Sequence, residues 1–143
     1  YALNALSESM GTALYIVAQT ETWLTPSLLP ALTFLIAGIV SFSTGTSWGT
    51  FAIMMPIAIP LSLNFSAGEL GPIVYASLAA VAGGGVFGDH CSPLSDTSIL
   101  ASTGAASDHI DHIKTQLPYA LVVGIISTVA YLIIGMTILA PGH

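Results

Sequence analysis

Long apolar segments separated by short polar stretches set the pattern of this chain. Residues 24–42, 72–88 and 119–140 are almost continuously apolar. The last of these has 22 residues, enough to cross a hydrocarbon core of about 30 Å at about 1.5 Å per residue. Residues 51–63 are also apolar but too short to cross alone, and the prolines within them should kink or end a helix. The pattern predicts an all-α, polytopic transmembrane protein.

The first polar stretch, residues 43–50, contains hydroxyl side chains and glycines but no charge. One interpretation is a surface turn with Trp48 in the aromatic belt of the membrane. The other is an unwound break inside a discontinuous helix that begins near Leu28 and continues into residues 51–63. We favour the break, because a water-exposed loop usually carries charged side chains. Its side-chain oxygens, together with freed backbone carbonyls, are candidate cation ligands: Ser43, Thr44, Thr46 and Ser47.

The second polar stretch, residues 83–97, organises the chain. Its three successive glycines should loosen a helix, and Pro93 removes a backbone donor. Apolar segments rich in small residues flank it, and its two carboxylates have no basic residue nearby. We therefore predict a helix leading in, a polar tip and a short helix leading out, which together form a re-entrant hairpin. The candidate ion-binding residues of this tip are Asp89, Ser92, Ser95, Asp96 and Thr97.

Three further groups lie in or near this stretch. His90 is either a proton relay, because histidine changes charge near neutral pH, or a hydrogen-bonded packing residue. Cys91 is the only cysteine; it excludes an internal disulfide, and we expect a small buried apolar residue there. Residues 108–112 place carboxylates and imidazoles on neighbouring helix faces, as a metal site requires. For that segment we favour a polar loop or helix start near the membrane surface.

Composition supports the membrane assignment. Of the 143 residues, 54% are hydrophobic and 6% are charged, whereas soluble domains carry about 25% charged residues. The chain contains a single basic residue, Lys114, which excludes nucleic acid as a partner because phosphate binding needs clustered basic side chains. Glu8 and Glu21 are expected near the membrane surface. Because the chain opens inside an apolar segment without an initiator Met, we interpret it as a fragment of a larger transporter.

A carboxylate within the membrane suggests how ions are exchanged. Burial in apolar surroundings disfavours an ionised carboxylate, so such a site can hold a proton until a sodium ion enters and expels it. Asp89 and Asp96 are the candidates for this group, and we favour Asp96 by a narrow margin. The transported Na+ and H+ are the only ions required, and no cofactor is expected. Two other classes remain open: a membrane-embedded metal enzyme that uses Asp89, His90 and residues 108–112, and a channel or non-transporting scaffold.

Three segments carry a family resemblance. Residues 88–100, 115–120 and 42–50 resemble the C-terminal half of NhaC-type sodium/proton antiporters. The resemblance implies a multi-pass carrier of the inner (cytoplasmic) membrane, built as one half of an inverted-repeat transporter, and not an enzyme. Related carriers bind sodium at hairpin tips and helix breaks, so sodium/proton antiport is the implied activity. Because relatives include malate/lactate carriers, sodium- or proton-coupled carboxylate exchange is the alternative.

On this interpretation, residues 1–143 form the C-terminal portion of one transporter domain. The expected partners are the lipid bilayer, sodium ions, protons and the N-terminal half of the transporter. A homodimer is left open.

Overall fold

The computed structural model describes residues 9–11, 15 and 25–138. Its residues 25–138 form five α-helices, and no described residue lies in a strand. The helices are α1 (Leu29–Thr44), α2 (Ser47–Phe65), α3 (Pro72–Cys91), α4 (Asp96–Gly104) and α5 (His109–Ile138). Helices α2, α3 and α5 are long and apolar enough to cross a membrane, whereas α1 is shorter. The expected all-helical membrane architecture is confirmed at this level.

Helix α1 ends within the first polar stretch, and two residues separate it from the start of α2. Gly45 adopts a left-handed conformation (φ +67°), and its N–H donates to the Ser41 carbonyl. Thr46 is extended, and its hydroxyl oxygen accepts a hydrogen bond from the Gly49 N–H at 3.3 Å, which caps α2. Only Gly45 and Thr46 are therefore non-helical, and we refer to these two residues as the α1–α2 junction.

Helix α2 corrects the expectation for residues 51–63. The helix has 19 residues and continues through Pro56 and Pro60. It reaches a spanning length because its first turn forms from the polar residues after the Thr46 cap. Each proline removes one backbone donor, and the remaining hydrogen bonds carry the helix on to Phe65.

The glycine triplet does not interrupt α3, contrary to the sequence expectation. A Cβ atom on Gly84 would collide with the Phe34 carbonyl oxygen of α1 and lie 2.9 Å from the Ala37 Cβ. The Ser41 hydroxyl of α1 also donates to the Gly85 carbonyl at 2.5 Å. Close packing between α1 and α3 therefore offsets the conformational cost of the glycines. One face of this small-residue helix, which includes Ser77, Ala80 and Gly84, is buried.

The core lies among α1, α2 and α3. Its buried apolar side chains form two clusters: Leu29, Leu61, Ile73 and Val74 in one, and Ala37, Met54, Ala58 and Val81 in the other. Helix α5 contacts α1 and α3 and remains mostly exposed. It starts at His109, ten residues before the predicted start at 119, because the Asp108 carboxylate accepts hydrogen bonds from the N–H groups of Ile110 and Asp111. Glu8 and Glu21 lie outside the described residues.

Candidate functional site

The two polar stretches meet in the structure. Residues Ser92–Ser95 connect α3 to α4, and we refer to them as the α3–α4 loop. The Ser92 hydroxyl donates to the Phe42 carbonyl in the last turn of α1 at 2.7 Å. A Cβ on Gly45 would lie only 2.7 Å from the carbonyl carbon and oxygen of Leu94. The α3–α4 loop therefore packs directly against the α1–α2 junction.

Asp89 lies in the last turn of α3 and is 8% exposed. Its Oδ1 accepts a hydrogen bond from the Ser95 hydroxyl at 2.7 Å. The Ser95 oxygen also lies 2.6 Å from the Thr97 hydroxyl and accepts the Thr97 N–H at 3.2 Å. A serine hydroxyl has one hydrogen to donate, and that hydrogen is directed to Asp89. The Thr97 hydroxyl must therefore donate to Ser95, so a line of hydrogen bonds runs from exposed Thr97 through buried Ser95 to Asp89.

No basic side chain neutralises Asp89 within the described part of the chain. The ion pair found there joins Lys114 to Asp111 at 3.5 Å, and both side chains are exposed. The second oxygen of Asp89, Oδ2, accepts no hydrogen bond from any described residue. Buried charges in proteins are normally paired or bind a cation. A buried carboxylate with one unengaged oxygen and no basic partner is a candidate ligand for a cation.

Asp96, the carboxylate favoured from sequence, has a different environment. It is exposed in the first turn of α4, where a negative charge stabilises a helix through the positive end of its dipole. The structure gives no contact between Asp96 and Asp89. Burial therefore favours Asp89 over Asp96 as the carboxylate of an ion site.

The hydroxyls of the first polar stretch divide into two groups. Ser43 and Thr44 are exposed, and their hydroxyls donate back along α1 to the carbonyls of Ile39 and Val40, each at 2.8 Å. Thr46, in the α1–α2 junction, and Ser47, the first residue of α2, are partly buried. Burial therefore separates Thr46 and Ser47 from Ser43 and Thr44, which are exposed.

His90 and Cys91 follow Asp89 but point elsewhere. His90 is exposed and lines a groove of about 490 Å³ between α3 and α5, together with Phe87 and Tyr119. Successive helical residues point about 100° apart, and no hydrogen bond joins the His90 ring to Asp89 among the described residues. The buried Cys91 thiol donates to the Phe87 carbonyl at 3.1 Å, which agrees with its expected packing role.

His109 contacts the α3–α4 loop, which the sequence analysis did not predict. Its Nε2 lies 2.9 Å from the Pro93 carbonyl of the α3–α4 loop, and its Nδ1 lies 3.1 Å from the Ser102 hydroxyl of α4. Helical spacing had paired it with His112 as a candidate metal ligand. Within residues 25–138 no group of three or more His, Cys, Asp or Glu side chains is arranged to hold a metal. Spacing gave no signal for the contact with Pro93, which lies 16 residues earlier and is brought near by α4.

Comparisons with known proteins give a consistent result. A model of the Na+/H+ antiporter family matches residues 1–136. The chain is 43% identical to an uncharacterized protein of Haemophilus influenzae, over 96% of this chain and 26% of the relative. It is 34% identical to the malate-2H+/Na+-lactate antiporter of Bacillus subtilis, over 77% of this chain and 22% of the relative. It is also 34% identical to the Na+/H+ antiporter NhaC of Alkalihalophilus pseudofirmus, over 78% of this chain and 23% of the relative.

The chain spans about a quarter of the length of the curated relatives it matches. No solved structure matches it.

Proposed function

The chain belongs to the Na+/H+ antiporter family, and we propose that it contributes the ion-binding site of a sodium/proton antiporter, with Asp89 as the carboxylate that both ions share. The observation that carries this proposal is the environment of Asp89. The side chain is buried, has no basic partner in the described chain and lies where the α3–α4 loop packs against the α1–α2 junction. Antiporter relatives indicate a transporter rather than an enzyme.

The oxygen atoms near Asp89 suit a small hard cation. Carboxylate, hydroxyl and backbone carbonyl oxygens are the ligands that such cations prefer. Asp89 Oδ2 and the Thr97 hydroxyl oxygen retain lone pairs for a cation, whereas the Ser95 oxygen already accepts two hydrogen bonds. We therefore assign direct binding to Asp89 and Thr97, and support of the carboxylate to Ser95. Thr46 of the α1–α2 junction and Ser47, the first residue of α2, are assigned as further oxygen ligands.

Exchange follows from competition for the carboxylate. A sodium ion and a proton cannot occupy the same carboxylate oxygen, so binding of one lowers the affinity for the other by an equal factor. Sodium entry therefore releases a proton, and proton entry releases sodium. The hydroxyl line from Thr97 through Ser95 gives the proton a path to Asp89. This path replaces the proton relay that was one of the two interpretations of His90.

We also propose a membrane arrangement, which the short lengths of α1 and α4 support. Helix α1 has 16 residues and α4 has 9, so each is shorter than the roughly 20 residues of a spanning helix. We assign α1 and α2 to a discontinuous helix and α3, the α3–α4 loop and α4 to a re-entrant hairpin. Both non-helical segments then lie at membrane depth, where irregular backbone needs protein or a cavity around it. The site is completed by the rest of the carrier in the cytoplasmic membrane.

Coupled carboxylate exchange is a second candidate function. The chain is as similar to the malate/lactate antiporter as to NhaC, at 34% identity each. The name of the malate/lactate antiporter includes both sodium and protons. A carboxylate site shared by these two ions therefore fits sodium/proton antiport as well as coupled carboxylate exchange. Malate and lactate added to the exchange assay separate the two functions. Sodium-driven proton movement that requires an organic acid supports the carboxylate exchanger.

The test uses the complete reading frame that encodes this chain, expressed in a bacterium that lacks its own antiporters. Proton movement in everted membrane vesicles is recorded with a pH-sensitive dye after sodium is added. We expect D89N to abolish exchange, because an amide cannot bind and release a proton. D96N should exchange at nearly the parental rate, since Asp96 is exposed. Parental exchange by D89N contradicts the proposal, provided that both variants reach the membrane at equal levels.

A further inference from the structure

We infer that His109 is a positioning residue for the ion site, an inference that rests on the proposed function of Asp89. The ring does not contact Asp89 in the structure. It contacts the α3–α4 loop, which carries the Ser95 hydroxyl that donates to Asp89. His109 therefore acts on the site through the conformation of this loop.

The hydrogen-bond chemistry of the ring fixes its role at Pro93. A carbonyl oxygen only accepts hydrogen bonds, so the contact of 2.9 Å requires a hydrogen on His109 Nε2. On the other side of the ring, Nδ1 lies 3.1 Å from the hydroxyl of Ser102, a residue that is 2% exposed. With the hydrogen on Nε2, Nδ1 of a neutral ring is an acceptor, so the single hydrogen of the Ser102 hydroxyl goes either to Nδ1 or to the Ile99 carbonyl, which lies 2.9 Å from the hydroxyl oxygen. The ring thus lies against α4 while it donates to the loop.

Side-chain hydrogen bonds hold the α3–α4 loop on two sides. On the α1 side, the Ser92 hydroxyl binds the Phe42 carbonyl. On the α4 and α5 side, the Pro93 carbonyl accepts a side-chain hydrogen bond only from His109 among the described residues. Removal of the His109 donor leaves this carbonyl without a hydrogen-bond donor among residues 25–138 and frees one side of the loop. The loop then spends less time in the conformation that places Ser95 against Asp89.

This loss should change apparent sodium affinity and not the maximal rate. When only part of a population is competent to bind, the apparent dissociation constant rises by the inverse of the competent fraction. Saturating sodium restores the competent conformation, so the maximal exchange rate is preserved. The net contribution of one neutral hydrogen bond corresponds to about a twofold to tenfold change in an equilibrium constant.

The experiment compares two side chains of similar length at position 109. Gln keeps an N–H donor for the Pro93 carbonyl, whereas Met keeps the volume and has none. We expect H109M to raise the sodium concentration for half-maximal exchange by about twofold to tenfold, with an unchanged maximal rate. H109Q should stay close to the parent. The matched control is H112M, one turn further along α5, where the ring makes no hydrogen bond within the described chain; it should leave both parameters unchanged.

Three outcomes overturn the inference. The first is parental sodium affinity in H109M, and the second is an equal loss of sodium affinity in H109Q and H109M. The third is absence of H109M from the membrane, which shows a role in assembly and not in sodium affinity. The D89N variant is measured beside them. If D89N is inactive and H109M behaves like the parent, only the inference about His109 fails. If D89N exchanges normally, the proposed function fails and the inference falls with it.

Discussion

The contact between the two polar stretches is open to a direct test at Gly45. This residue has a positive φ of +67°, and a Cβ there would lie 2.7 Å from the Leu94 carbonyl carbon and oxygen. Gly68 provides a matched control, because it also has a positive φ, +85°, but a Cβ there meets no atom within 4 Å. The stability lost by Gly68→Ala measures the cost of the backbone conformation alone. The stability lost by Gly45→Ala measures that cost together with the cost of the clash with the α3–α4 loop.

The two contributions have different magnitudes. A left-handed conformation costs a non-glycine residue about 1–2 kcal/mol, and both variants carry this cost. Extra atoms forced into a packed site cost about 1–3 kcal/mol more, and here the obstacle is backbone, which cannot rotate away as a side chain can. We expect Gly68→Ala to lose about 1–2 kcal/mol of unfolding free energy and Gly45→Ala about 2–5 kcal/mol. Gly45→Ala should also weaken sodium affinity, since Leu94 lies between Ser92 and Ser95.

The measurement is unfolding of the purified carrier in mixed micelles, combined with the sodium dependence of exchange. A larger destabilisation of Gly45→Ala than of Gly68→Ala, with lower sodium affinity for Gly45→Ala alone, supports the packing described above. Equal loss of stability in both variants, with parental affinity in both, refutes it. That result shows that the α1–α2 junction and the α3–α4 loop are apart in the working protein.

Two further variants test the helix packing and the hydroxyl line. Gly88→Ala should disrupt the α1–α3 contact, because its Cβ would collide with the Gly38 carbonyl oxygen. Gly104→Ala should be tolerated, because a Cβ there meets no atom within 4 Å. The amount of folded protein recovered from membranes is compared between the two variants. Thr97→Val removes the hydroxyl that donates to Ser95 and should slow proton-coupled exchange several-fold. Thr103→Val removes an exposed hydroxyl that donates to a carbonyl within α4, and it should leave the exchange rate unchanged. Equal rates in these two threonine variants contradict the proposed proton path.

Much of the fold could be predicted from apolar segment length and proline position. Pro72 begins α3 as expected for a proline in a first helical turn. The order of helix, polar loop and short helix around Ser92–Ser95 also follows the sequence prediction. The predicted relation to sodium/proton antiporters is confirmed by the family match over residues 1–136. These features depend on local composition, which a single sequence contains.

The remaining features depend on tertiary contacts, which composition does not contain. The glycines at positions 83–85 indicated a loosened helix, but the close approach of α1 makes them a packing surface. Asp89 and Asp96 have similar neighbours in sequence, and only the fold buries one and exposes the other. His109 was paired with His112 by helical spacing, whereas α4 brings its ring to Pro93.

The central claim, that Asp89 is shared by sodium and a proton, can be measured without transport. The purified, solubilised carrier is placed in weakly buffered solution, and the pH is recorded as sodium chloride is added, with choline chloride as the ionic-strength control. The account predicts that sodium releases protons from the parent and from D96N, and that D89N releases none. Sodium-dependent proton release that persists in D89N and disappears in D96N contradicts the account and assigns the shared site to Asp96.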